Sequence, residues 1–227
     1  KAAATDPVER AQLRAELDGI VAHLFGLTEE EFAYILTTFS GVDQGTKHAA
    51  LQAYRDFAPK TSDEEAAALI RAGESATVEF KSTARWDLRE GKANKEMEKV
   101  VLRETAAFLN ANGGTIFIGV ADDKCVLGLA NDLQLFSEKK RNLDQYELWL
   151  TDQLLHALGK EHAGLYKVSF PVVDANAICR IDIQPAPSPV YASLDNDEQF
   201  HIRTGNSIKR LNHRETVEYV KQRWAQK

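Results

Sequence analysis

The sequence is short of cysteine, methionine and long apolar runs: it has two cysteines, one methionine and six prolines in 227 residues. Cys125 and Cys179 are too few for a disulfide framework or a four-cysteine zinc site. His-x-x-His and His-Glu-x-x-His spacings are missing, so no zinc is expected. Both cysteines are expected to be buried thiols of a cytoplasmic protein, where thiols stay reduced. No segment approaches the roughly 20 apolar residues that span a bilayer, and no secretory signal opens the chain, so no membrane association is expected. Gly-Lys-Ser/Thr is absent, and with it a nucleotide-binding loop. Internal repeats and low-complexity tracts are also lacking.

What is present is ordinary globular composition, 44% hydrophobic and 27% charged, with a net charge of −6. An acidic total argues against a nucleic-acid partner, but the charge is unevenly spread. Residues 1–73 hold 7 basic and 12 acidic side chains, whereas residues 200–227 hold 7 basic and 2 acidic ones. Between them, Lys81, Arg85, Arg89, Lys92, Lys95, Lys99 and Arg103 face four anions over residues 81–103. Phosphate binding needs a basic surface and not a basic whole protein. A solvated helix face explains the same charges equally well.

Apolar Leu13, Leu17, Ile20, Val21 and Leu24 recur at helical spacing and predict a helix over 6–24. Gly26 ends it, Thr28 and Glu31 predict a capping box for a second helix carrying Phe32, Ile35, Leu36 and Phe39, and a third runs from Thr46 to about Ala58. Three short helices make a poor independent core. Residues 1–60 are therefore expected to be an all-helical segment, the tail of a larger N-terminal region, and the chain a fragment of a longer polypeptide.

Residues 61–227 have a different texture. The pattern predicts helices over 63–72, 95–110, 143–158 and 212–224. Strands are predicted over 77–81, 115–120, 125–129, 168–173, 178–184, 190–193 and 199–204. Asn112-Gly113-Gly114 reads as a helix stop. Strands mixed with helices predict an α+β (mixed α/β) sheet with flanking helices.

Two acidic strand ends stand out. Glu79 alternates with Val78 and Phe80 and so points away from the face those two bury. Glu74 can join it only if the chain bends at Gly73, and Asp122 follows the next strand in a turn. Three clustered carboxylates suit a hard divalent ion, Mg²⁺ or Mn²⁺, which can polarise a phosphodiester, with Lys81 stabilising the developing charge. Equally, Asp122 and Asp123 fit a plain turn, and Glu79 fits a solvent-facing strand position. Arg203-Thr204-Gly205-Asn206-Ser207 with Lys209, Arg210 and Arg214 suits phosphate or simply an exposed hairpin. Trp86, among the cations, can stack on a base or pack. Trp149 and Trp224 lie on apolar helix faces and are expected in the core.

Glu-Ser-x-x-x-Glu-Phe-Lys from Glu74, then Ala-Phe-Leu-Asn-x-x-Gly-Gly-Thr-Ile-x-Ile-Gly-Val-x-Asp-Asp ending at Asp123, resembles the Schlafen/AlbA-type domain. Val126-Leu127-Gly128-Leu129 and Phe200-His201-Ile202-Arg203-Thr204-Gly205-Asn206-Ser207 continue the likeness, which spans about residues 70–224. The resemblance implies a nucleic-acid partner. One branch of the family contains metal-dependent endoribonucleases using two glutamates and an aspartate, which fall on Glu74, Glu79 and Asp122. Another comprises DNA-binding or regulatory modules. Ala121 stands where an acidic residue is common, so Asp123 is an alternative for the third acid. The expected nucleic-acid contacts are Arg85, Lys92, Lys95, Arg203, Asn206, Lys209 and Arg210. Two-lobed relatives imply a homodimer by analogy. Residues 13–39, with His23-Leu24-Phe25-Gly26-Leu27-Thr28, also resemble the C-terminal tail of restriction and phage-defence DNA methyltransferases, which implies a defence polypeptide or complex. The Asn-Pro-Pro-Tyr methyltransferase motif is not in this sequence.

Overall fold

Polar side chains ahead of the helices longer than one turn set where they begin, because they satisfy backbone N–H groups that the first turn leaves unpaired. The structure, a computed structural model, describes residues 6–57 and 61–224. The chain divides into two compact units, one up to residue 60 and one from residue 61. The first unit holds α1 (Pro7–Leu24), α2 (Glu29–Thr38) and α3 (Gln44–Asp56). Asp6 accepts from the Val8 N–H at 2.9 Å, Thr28 and Glu31 form the anticipated capping box, and Asp43 accepts from the Thr46 N–H at 3.0 Å. The core is small: Ala22, Phe32, Ala50 and Tyr54. His23 stacks on Tyr54 with ring centroids 3.9 Å apart.

The face of α1 that packs is Ala15, Gly19 and Ala22, and the leucine stripe stays outside. A Cβ on Gly19 would lie 2.6 Å from the Tyr54 backbone nitrogen, so the small residues are what let α1 and α3 approach this closely.

The second unit runs α4 (Ser62–Ala72), β1 (Val78–Lys81), β2 (Trp86–Asp87), β3 (Lys92–Ala93), α5 (Lys95–Leu109), β4 (Gly114–Ile118), α6 (Ala130–Leu133) and α7 (Leu143–Leu158). It continues with β5 (Tyr166–Ser169), β6 (Val172–Val173), β7 (Asn176–Ala177), β8 (Cys179–Ile183), β9 (Ala192–Leu194), β10 (Asp197–Thr204), β11 (Ser207–Leu211) and α8 (His213–Trp224). The architecture is the mixed α+β one that the pattern predicts. Four strands form the main sheet in the order β1-β4-β8-β5, with β1 and β4 parallel and the other pairs antiparallel. Alternation along the strands splits the core into two layers. Val78, Phe80 and Phe117 pack with Ala66 and Ile70 of α4 on one face. Ile116, Ile118 and Ile181 pack with Leu102 and Phe108 of α5 and with Tyr146, Leu150 and Leu154 of α7 on the other. A second sheet, β11-β10-β9, completes the unit.

Several boundaries differ from the sequence reading. The predicted strand over 168–173 breaks into β5 and β6 around Pro171, which cannot donate to a ladder. The predicted strand at 125–129 is reduced to a bridge between Val120 and Val126. There the N–H groups of Leu127 and Gly128 both turn onto the Gly119 carbonyl. The β2–β3 ribbon lies in a cation-rich stretch with no alternating pattern to announce it. Cys179 is buried as expected, but Cys125 is exposed. Trp149 and Trp224 pack as expected, Trp149 against the main core and the Trp224 indole donating to the Ala186 carbonyl at 3.2 Å. No helix among the described residues is long and apolar enough to cross a membrane.

Two buried polar side chains tie the unit together. Asn110, at the end of α5, donates to the carbonyls of Val190 and His201 and accepts from the Val190 N–H. Asp132 in α6 accepts from three consecutive N–H groups, Ala84 (2.7 Å), Arg85 (2.9 Å) and Trp86 (3.1 Å), and from the Tyr146 hydroxyl. Burial pushes its carboxyl pKa up against the pull of those donors. Asp132→Ala leaves the three N–H groups buried without an acceptor. It should lower the unfolding free energy by about 3 kcal/mol, measured by urea denaturation.

Candidate functional site

The chain turns sharply at Gly73, whose φ of +95° favours glycine, and residues 74–77 fold back along the free side of β1. This bend is the one Glu74 needs in order to approach Glu79. Its carboxylate does not join Glu79, however. Glu74 Oε1 accepts from the Phe80 backbone N–H at 2.9 Å and so closes the outer edge of β1.

Glu79 does point away from the Val78/Phe80 face, toward α5, but it is buried and not solvent-facing. There it meets three other charged groups. Lys81 Nζ contacts Glu79 Oε1 and lies 3.7 Å from Glu104 of α5. Arg203 of β10 reaches Glu104 at 3.1 Å and Glu79 Oε2 at 2.8 Å. The last contact is an ion pair without hydrogen-bond alignment, since Oε2 has no aligned donor. The Arg203 guanidinium, its side chain 2% exposed, also donates to the carbonyls of Ala76 (3.1 Å) and Ser75 (2.7 Å) and sits 4.4 Å from the Phe108 ring centroid.

Burial, with Glu79 close by, raises the Glu104 pKa to about 7, against the opposing pull of Lys81 and Arg203. Next to this cluster, burial together with Arg103 and Arg210 lowers the pKa of His201 to about 4. The sequence reading missed Glu104. A lone glutamate on the apolar face of α5, three residues after Val101 and four before Phe108, was the available signal.

Two of the expected nucleic-acid contacts lie inside the unit. Arg203 is buried within the ion cluster. Arg85 lies 4.7 Å from the Phe136 centroid and 4.4 Å from that of Trp149, with Nε 3.3 Å from Glu98, so it is a packed side chain. Lys92, Lys95, Asn206, Lys209 and Arg210 are exposed, although Lys92 pairs with Glu90 and Arg210 with Asp197, each at 2.7 Å. Lys81 and Asp122 line one cleft of about 370 Å³ with Ser82, Thr83, Asp87, Leu88 and Arg89. Trp86 is partly buried beside that cleft, its carbonyl accepting from Thr83 Oγ1 at 2.5 Å.

Glu74, Glu79 and Asp122 do not assemble into a metal-ligand set. Among the described residues no group of three or more His, Cys, Asp or Glu is placed to hold a metal ion. A divalent cation at Glu79 would also confront the ammonium of Lys81 and the guanidinium of Arg203. This arrangement therefore does not fit Mg²⁺ or Mn²⁺.

A mixed sheet between helical layers, locked to a second sheet by buried ions and bordered by an exposed cationic loop, defines an α+β domain. The profile of the family described as Schlafen, AlbA_2 matches residues 74–212, and the chain belongs to that family. Such domains are commonly associated with nucleic-acid binding. Among solved structures the chain is similar to the DIP2311 protein from Corynebacterium diphtheriae, at 19% identity and a TM-score of 0.45. That match covers 64% of this chain and only 27% of the other. No curated protein matches.

The ion cluster makes two tests. Arg203→Leu leaves two buried carboxylates facing one lysine and should cost about 3–5 kcal/mol of stability, measured by chemical denaturation. Glu104 binds its proton more tightly folded (about 7) than at its ordinary 4.5, so its contribution is present below pH 4.5 and is lost as pH rises through 7. His201 acts with the opposite sign between about 4 and 6.5. The difference between wild-type and Glu104→Gln profiles cancels that effect. Across pH 4.5–7.5, wild-type stability should fall relative to Glu104→Gln.

Proposed function

We propose that residues 61–227 form a nucleic-acid-binding module that does not itself cut its ligand. The observation that supports this most directly is the exposed cationic loop Arg89, Lys92 and Lys95 beside the cleft lined by Lys81, while Glu79 is already neutralised by Lys81 and Arg203. Loop cations meet the phosphate backbone, and the cleft, with exposed Leu88 at its rim, offers an apolar wall beside them. The hairpin tip at Asn206 and Lys209 supplies further polar contacts. Restriction or phage defence is the setting we propose for the module, supported by the sequence likeness of residues 13–39.

One observation favours a second reading, a metal-dependent endonuclease acting on RNA or single-stranded DNA: Lys81 and Asp122 share a cleft. The same experiment separates the two. Fluorescence anisotropy would follow binding of transfer RNA, single-stranded DNA and duplex DNA across a salt series, with EDTA or Mn²⁺. The binding reading expects affinity that falls steeply with salt, is indifferent to EDTA, and drops at least about tenfold in Arg89→Glu/Lys92→Glu/Lys95→Glu. The logarithmic salt slope should shrink by roughly 2 on a single strand and roughly 3 on duplex DNA for three lost phosphate contacts. Mn²⁺-dependent cleavage that disappears in Glu79→Gln would replace this reading with hydrolysis. No binding to any of the three at low salt would overturn both.

A further inference from the structure

The first unit leaves an apolar stripe of α1 exposed. On α1, Leu13, Leu17, Ile20 and Leu24 follow one another at spacings of four, three and four residues and are 49%, 59%, 39% and 80% exposed. The opposite face, Ala15, Gly19 and Ala22, is the one seated on α3. An isolated surface leucine needs no explanation, but a stripe over about three turns with heptad spacing does. We propose that this stripe pairs with the same stripe of a second copy of the chain, as a short parallel two-helix seam.

Two features select that occupant. Spacing of four and three residues alternately is the pattern whose side chains interlock with an identical helix, with Leu17 and Leu24 at one core position and Leu13 and Ile20 at the other. Charge complementarity then sets the direction. With that assignment Glu9 and Arg14, both exposed, flank the seam on opposite sides, five residues apart. This is the separation at which, in a parallel pair, the flanking residue of one helix meets that of its partner. Two-fold symmetry makes the Glu9–Arg14 contact twice. An antiparallel pair sets like flanking positions against each other and makes it not at all. α1 is about 27 Å long, roughly two and a half heptads, so the association is expected to be weak. This dimer does not depend on the second unit or on its ligand.

Sedimentation velocity of the full chain should show a monomer converting to a dimer as concentration rises through the micromolar range. Leu17→Glu/Ile20→Glu should remain monomeric with unchanged far-UV circular dichroism, because both side chains are exposed. Glu9→Arg should weaken the dimer several-fold, and adding Arg14→Glu should restore it. In a Cys125→Ser background, Leu17→Cys should oxidise to a linked dimer, since a parallel seam sets position 17 against itself. A chain that stays monomeric at every concentration would overturn the proposal, whether its own second unit or another protein covers the stripe. So would a dimer indifferent to Leu17→Glu/Ile20→Glu, and failure of Leu17→Cys to cross-link would overturn the parallel seam.

Discussion

The second unit is organised around a guanidinium that water hardly reaches. Arg203 leaves the middle of one sheet, crosses the ring of Phe108 and ends among the edge strand of the other sheet, the turn that precedes it and a carboxylate from α5. Placing such a charge indoors is tolerable only when its donors are matched, and here carbonyls of residues 75 and 76 and the acids Glu79 and Glu104 match them. β1, the turn after Gly73 and α5 all supply partners to that one group. Lys81 adds a second positive charge to the two acids, and burial beside Glu79 raises the Glu104 pKa to about 7.

Much of the scaffold was legible from residue patterns. The capping residues at 28 and 31, the end of α7 and the glycine stop after α5 are local signals, and local signals decide helix ends. The alternation of Val78, Glu79 and Phe80 gave the direction of Glu79 correctly. It could not say what waited there, because Glu104 and Arg203 lie 25 and 124 residues further along the chain. The same distance problem hid the partners of Arg85 and Arg203. A cation beside a glycine turn or among other cations has the same sequence signature whether it faces solvent or an aromatic ring. In α1 the apolar spacing announced the helix but not its packed face, which is alanine and glycine because they allow a closer approach than leucine.

Charge in this molecule is thus divided by depth. Two of the expected nucleic-acid contacts serve the interior, where they hold elements in register, and those left outside are the cations of the 89–95 loop and of the β10–β11 hairpin. A ligand approaching the domain meets the outer set while the inner set keeps the surface in shape. Substitutions in the two sets therefore have different physical consequences even though the residue types are identical.

Glu74 looked in the sequence like a ligand waiting for a cation. In the fold its carboxylate takes the amide hydrogen of Phe80 on the open side of β1, while the Ser75 N–H occupies the Val78 carbonyl. A foreign strand arriving at that margin finds its first hydrogen-bonding positions already taken. Glu74 thus closes that margin from within, and its removal would reopen a hydrogen-bonding position on β1 to a neighbouring chain.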